Sequence, residues 1–258
     1  MTEPTTGDAF GEMIRDAYAV HIGAGRRPLA GGRYPRPVIE VIERDDGLIN
    51  GALAAHYLSE PADWRPFDHR AMTFCRGRVL DVGVGAGRTA IELQRRGIAI
   101  TGLDTSAGAI EVARKRGLRD TVLNTVDEFS RASVRYDTFL LLGNNLGLIE
   151  GRERAPAFLA ALARLAAPGA RIVAQGTDPY GTTDPVQVAY HEENRARGRF
   201  GGQLRIRLRY REVASDWFDY LNCSVDELEE LLKGTGWRLK SVDDQDHPYY
   251  LAVMELME

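Results

Sequence analysis

The chain has 258 residues, 44% hydrophobic and 27% charged, with 33 Lys and Arg against 37 Asp and Glu. A net charge of −4 argues against a surface built for nucleic acid or anionic lipid, and two cysteines, Cys75 and Cys223, exclude a disulfide framework or a four-thiolate metal site. No apolar run approaches the roughly 18 residues of a membrane span and no signal-peptide pattern opens the chain, so a cytoplasmic monomer or homodimer is expected, with neither membrane nor nucleic-acid partners.

Phe10, Met13, Ile14, Ala17 and Val20 recur at helical spacing and predict an amphipathic helix over Asp8 to His21. The Gly-, Pro- and Arg-rich stretch from Gly23 to Pro37 predicts an irregular connection, and Leu48 to Leu58 reads as helical again. Residues 1–75 are thus expected to form an amino-terminal helical cap. From Arg78 the texture changes. Strands are predicted at 78–82, 98–103, 121–123, 136–142 and 171–175, alternating with helices at 88–96, 107–116 and 155–166, the last ended by Pro168-Gly169. Such alternation is the pattern of an α/β, doubly wound sheet covered on both faces.

After Gln175 the alternation stops for about forty residues, too long for an ordinary loop. Within this stretch Gln203 to Arg211 predicts a strand with Leu204, Ile206, Leu208 and Tyr210 on one face and Arg205, Arg207, Arg209 and Arg211 on the other. Ser224 with Glu227 is a capping box, Gly234 ends that helix, and strands follow at 237–242 and 249–256. The expected organisation is one domain, 76–258, carrying a β insertion at 178–218 that acts as a substrate lid over the same edge of the sheet as the cap.

Three alternate glycines, Gly83, Gly85 and Gly87, turn the strand ending at Val82 into a helix. Glycine serves where backbone takes positive φ or lies against a ligand. Dinucleotide-binding loops look similar, but Arg88 stands where that pattern wants a final small residue, and Asp81 precedes the loop. An acid there repels a pyrophosphate and can orient an ammonium group. Asp104, twenty-one residues after Gly83 at the end of the second strand, is placed to accept from a ribose diol. Together these residues describe an adenosine-type ligand without phosphates.

With Tyr136-Asp137, Pro168-Gly169 and Thr235-Gly236-Trp237, this set resembles the class I S-adenosylmethionine-dependent methyltransferases over about half the chain. The resemblance implies a Rossmann-like methyltransferase fold, a seven-stranded mixed sheet whose last strand is antiparallel, and S-adenosyl-L-methionine as cofactor. It places the glycine loop under the methionine part, Asp104 and Thr105 at the ribose, and Val126 and Asp127 at the adenine. Tyr57 occupies roughly the place of a cap tyrosine that covers the cofactor. For Tyr57 packing alone is the alternative, and for Asp127 an exposed loop carboxylate or helix cap.

The fourth strand runs into Gly143-Asn144-Asn145, with Gly143 beside the cofactor and two amides facing a methyl acceptor. This stretch is similar to a Leu-Gly-Asn triplet of glycine and sarcosine N-methyltransferases, though the asparagines can equally tie off loop backbone. The base-methylating motifs are absent, and only Asp137 lies near the fourth strand, so no metal is expected. In the insertion, His191 or Tyr190 can assist a proton transfer. The four arginines suit an anionic substrate or pair with Glu212, Asp216 and Asp219. The expected activity is methyl transfer to nitrogen or oxygen of a small polar metabolite. A non-methylating enzyme using the same cofactor, and a tRNA or protein methyltransferase, are the alternatives.

Overall fold

The computed structural model describes residues 3–24 and 37–257. The amino-terminal part holds β1 (Thr5–Thr6), α1 (Ala9–Ala24), β2 (Ile39–Arg44), β3 (Ile49–Leu53) and α2 (Pro66–Phe74). There follow β4 (Arg78–Val82), α3 (Arg88–Arg95), β5 (Ala99–Asp104), α4 (Ala107–Lys115), β6 (Thr121–Leu123), α5 (Val126–Phe129), β7 (Tyr136–Leu141), α6 (Ala155–Leu165) and β8 (Ala166–Thr177). The chain continues through α7 (Pro185–Ala196), β9 (Gln203–Tyr210), β10 (Val213–Ala214) and β11 (Phe218–Leu221), and closes with α8 (Val225–Leu232), β12 (Trp237–Asp243) and β13 (Tyr249–Leu256).

The main sheet has seven strands in the order β12-β13-β8-β7-β4-β5-β6, with β13 antiparallel to both its neighbours. This is the doubly wound sheet the alternation predicted, with the antiparallel last strand that the resemblance implied. Its interior strand β4 is largely apolar on both faces because both are covered. Leu80 and Val82 enter a core with Phe158, Leu162 and Leu228 of α6 and α8, while Val79 faces Ala71, Ala90 and Ile110 of α2, α3 and α4. Asp81 shares the face of Val79, which turns a carboxylate towards α3. Ser224 and Glu227 make the expected reciprocal capping box at α8, and Trp237, buried, donates from Nε1 to the Leu159 carbonyl at 3.0 Å.

A second sheet is what the periodicity did not reveal. Its order is β1-β10-β9-β2-β3, with β11 also on β9, so the amino-terminal hairpin and the insertion form one structure. The helix expected over Leu48 to Leu58 is instead β3 followed by a 3-10 turn, Ala54–Leu58. The reason is tertiary: Ile49 to Leu53 pair antiparallel with β2, and that ladder overrides a weak helical pattern. The residues 25–36 of the expected irregular connection lie outside the described residues, while Gly23 and Ala24 end α1. Pro168-Gly169 does not follow the helix as a separate breaker. Strand β8 begins directly at Ala166, and its register against β7 shifts between the Tyr136 and Thr138 pairs, which leaves proline and a left-handed glycine in a bulge.

Helix α1 fixes the cap to the cofactor end of the main sheet. Met13, Ile14 and Ala17 pack with Ala54 and Leu58, and also with Ala86 of the glycine loop and Val112 of α4. The arginines of β9 are internally paired: Arg207 and Arg209 contact Glu43 at 2.8 and 3.1 Å, and Arg205 and Arg211 contact Asp219 and Asp16 at 3.7 and 2.5 Å. Of the expected partners only Asp219 takes part, because β2 sets Glu43 directly opposite Arg207.

Candidate active site

Gly83, Gly85 and Gly87 all have positive φ, 73°, 53° and 78°. Gly83 is also sterically required: a Cβ there would lie 2.5 Å from Asn145 Nδ2. We therefore expect Gly83→Ala to displace Asn145 and weaken cofactor binding at least about tenfold, measured by calorimetry, since both the strained φ and the clash act on the loop. At Gly85 the space above the backbone is bounded by Phe10 Cζ and Tyr57 Cδ1, 3.8 and 3.9 Å from where a Cβ would stand. The loop thus lies under two aromatic rings of the cap, which meet edge to face at 5.2 Å.

Asp104 is the loop's anchor. Its Oδ2 accepts from Gly85 N at 2.8 Å and its Oδ1 from Ser106 N at 2.9 Å. Burial raises its pKa in spite of these bonds. A carboxylate has about four acceptor positions, so capacity for two ribose hydroxyls remains. Thr105 beside it is exposed. Asp81 is 3% exposed and its Oδ2 accepts from Thr89 Oγ1 at 3.0 Å. Burial pushes its pKa up to about 7, against the hydrogen bond from Thr89 and the charge of Arg88. Arg88 makes its own ion pair elsewhere, with Asp68 at 2.8 Å.

The residues expected at the adenine follow β6, where Asn124 N donates to the Asp104 carbonyl at 3.0 Å. Val126 is buried as the first residue of α5, and Thr125 caps that helix by accepting from Glu128 N at 3.2 Å. Asp127 is ion-paired with Arg154, which draws one oxygen towards the start of α6.

The turn after β7 takes Gly143 and Asn144 through left-handed conformations, φ 70° and 67°, and Gln175 Oε1 accepts from both backbone N–H groups, at 3.0 and 3.2 Å. This geometry splits the two amides expected to face an acceptor. Asn145 Nδ2 donates to the carbonyls of Val82 and Gly83, both at 2.9 Å, and so braces the glycine loop. Asn144 points the other way, into a cavity of about 500 Å³ between the second sheet and the ends of β8 and β13. Its Nδ2 donates to Asn222 Oδ1, its Oδ1 accepts from Thr177 Oγ1, each at 2.9 Å, and its carbonyl accepts from Tyr220 at 2.6 Å.

His191 lines the same cavity, 6% exposed, with no hydrogen-bond partner on its ring among the described residues. Burial, then the charges of Arg195 and Arg44, lower its pKa, so the imidazole is neutral at pH 7. Tyr190 faces elsewhere, donating to Asp45 at 2.8 Å with the Arg44 guanidinium 3.8 Å above its ring. Tyr57 donates to Glu40 Oε1 at 2.9 Å, and burial together with the Glu40 charge raises its pKa. Glu40, Arg44, Tyr220 and Asn222 are contributors that reading the sequence missed. The β-branched residues Val38, Ile39, Val41 and Ile42 were a signal for β2, but nothing local announces that this strand meets β9. Among the described residues, no group of three or more His, Cys, Asp or Glu side chains is arranged to hold a metal ion.

Residues 79–169 match the sequence profile of a family described as a methyltransferase domain. The segment that holds the glycine loop and Asp104 is thus similar to a methyltransferase domain. The chain is 32% identical over 103 residues to a mitochondrial ubiquinone biosynthesis O-methyltransferase from Schizosaccharomyces pombe, covering 39% of this chain and 38% of that one. It is 28% identical over 126 residues to a ubiquinone biosynthesis O-methyltransferase from Chelativorans sp., covering 47% and 46% of the two chains. The chain spans less than half the length of these curated relatives. The fold likeness reaches further: the crystal structure of a methyltransferase from Bacteroides fragilis in complex with S-adenosyl-L-homocysteine has a TM-score of 0.80 at 22% identity, covering 100% of this chain and 98% of that one. The methyltransferase fold therefore includes the cap and insertion as well as the profiled segment. No helix among the described residues is long and apolar enough to cross a membrane.

Proposed function

We propose that the protein binds S-adenosylmethionine on the glycine loop and transfers its methyl group to a nitrogen or oxygen of a small polar metabolite held in the adjoining cavity. The observation that carries this reading is the wall the two regions share: Asn145 braces the glycine loop while Asn144, the next residue back, lines the cavity. When bound, S-adenosylmethionine supplies an electrophilic methyl on a positively charged sulfur. Asp104 holds the ribose, Asp81 orients the ammonium, Val126 packs against the adenine, and Phe10 and Tyr57 exclude water from above. Alignment and desolvation supply most of the acceleration in such a displacement.

On the acceptor side Asn144 orients the substrate, and neutral His191 takes up the proton that the acceptor's N–H or O–H releases. The mainly apolar cavity carries a few polar groups, Asn50, Asn222 and Gln187 beside Asn144 and His191, which suits a small substrate with hydrogen-bonding groups. The free thiols Cys75 and Cys223 suit a cytoplasmic location. Calorimetry with S-adenosylmethionine, followed by mass spectrometry on the enzyme incubated with cofactor and a panel of small amines and phenols, tests the reading. Binding is expected, with S-adenosylhomocysteine formed only when an acceptor is present. Absence of binding, or turnover of the cofactor alone, overturns it.

A further inference from the structure

Besides Asp81 and Asp104, the cofactor end of the sheet carries Glu40 of the cap, which has no assigned role. It is 6% exposed, with Oε1 accepting from Tyr57 at 2.9 Å. Among the described residues Oε2 has no hydrogen-bond partner, and no Lys or Arg forms an ion pair with the group. Burying a carboxylate with no Lys or Arg partner is unfavourable, and burial accordingly raises its pKa, against the Tyr57 hydrogen bond and the nearby His56. A group left in this condition at the mouth of a ligand cleft is explained by a cation that arrives with the ligand.

The position of Glu40 says which cation. Its partner Tyr57 lies over Gly85 of the glycine loop. Its charge also reaches Tyr220, whose hydroxyl donates to the Asn144 carbonyl at the cavity. The next two residues on the same face of β2, Ile42 and Arg44, line that cavity. The inward row of β2 therefore runs from cofactor loop to acceptor cavity, and Glu40 stands at the junction, where methyl transfer must occur.

We propose that Glu40 is the counter-charge for the cofactor's sulfonium and makes the closed cap prefer S-adenosylmethionine over S-adenosylhomocysteine. The inference rests on the cofactor assignment made above. Methyl transfer breaks the sulfur–methyl bond, forms the acceptor–methyl bond and leaves the electron pair on a neutral sulfur, so the attraction exists before transfer and vanishes after it. The unpaired carboxylate then disfavours the closed product complex and promotes its release.

Calorimetry at pH 8 on the full chain, with S-adenosylmethionine and S-adenosylhomocysteine as the two probes, reads this directly. Glu40→Gln preserves the shape and can still accept from Tyr57. It is expected to weaken S-adenosylmethionine about tenfold or more, the effect of one desolvated charge contact, while S-adenosylhomocysteine stays within about twofold. An equal loss for both ligands, or no loss for either, overturns the proposal. Glu40→Leu, which removes the charge without leaving a polar group buried, carries the same expectation should the glutamine variant fail to fold. Failure of the wild-type protein to bind either ligand would instead refute the cofactor assignment.

Discussion

Asp104→Ala is expected to lower the affinity for both S-adenosylmethionine and S-adenosylhomocysteine by roughly a hundredfold or more. Two separate losses combine. The ribose diol loses a charged acceptor, and hydrogen bonds to charged groups contribute about 1.5–3 kcal/mol each. The glycine loop also loses its anchor, because Gly85 N and Ser106 N, which donate to the two carboxylate oxygens at 2.8 and 2.9 Å, are left without that partner. Asp104→Asn separates the terms: a carboxamide retains one acceptor oxygen, so the loop is partly held while the charge is gone. Calorimetry should rank the affinities wild type, Asn, Ala. Because the ribose is common to both ligands, their ratio should not change, in contrast to the expectation for Glu40. An alanine variant with wild-type affinity would remove Asp104 from the site.

The parts of the site that could be read in the sequence are those built from local signals. Strand β4, the glycines after it and the carboxylate ending β5 lie within one βαβ unit, where each residue's role follows from its distance along the chain. The cap and insertion were not legible in this way, because their structure depends on pairing between distant segments. Glu43 and Arg207 are 164 residues apart, yet their contact helps define the sheet that roofs the cavity. The strand face of β9 was read correctly from its period of two, but its partners were sought nearby, at Glu212, Asp216 and Asp219, of which Asp219 pairs with Arg205 while β2 supplies Glu43 for Arg207 and Arg209. Asn144 and Asn145 show a different limit. Both were expected to face an acceptor, but which amide faces the cavity depends on two left-handed residues and on Gln175, whose side-chain oxygen closes the turn from the next strand.

Asp81→Asn is expected to produce effects of opposite sign on stability and on binding. The wild-type carboxyl titrates near pH 7 when folded and near its ordinary value of about 4 when unfolded, because burial disfavours its charge. Between those values the folded state holds more protons than the unfolded state, so this group's contribution to stability declines as pH rises from about 4 to about 7 and is constant above. Asparagine resembles the protonated acid and can still accept from Thr89. The ligand-free variant should therefore melt higher than wild type at pH 8, with the difference shrinking towards pH 5, each pH unit of the interval corresponding to about 1.4 kcal/mol. With cofactor the order should reverse. An ammonium beside Asp81 favours the ionised form, so wild type should release a proton on binding near pH 7 and bind more tightly as pH rises from 6 to 7.5, whereas the variant should bind weakly and without that proton release. Calorimetry in two buffers of different ionisation enthalpy measures the proton directly. Equal proton release by wild type and variant would show that another group titrates on binding, and an asparagine variant less stable than wild type at pH 8 would show that the buried carboxylate is already compensated within the protein.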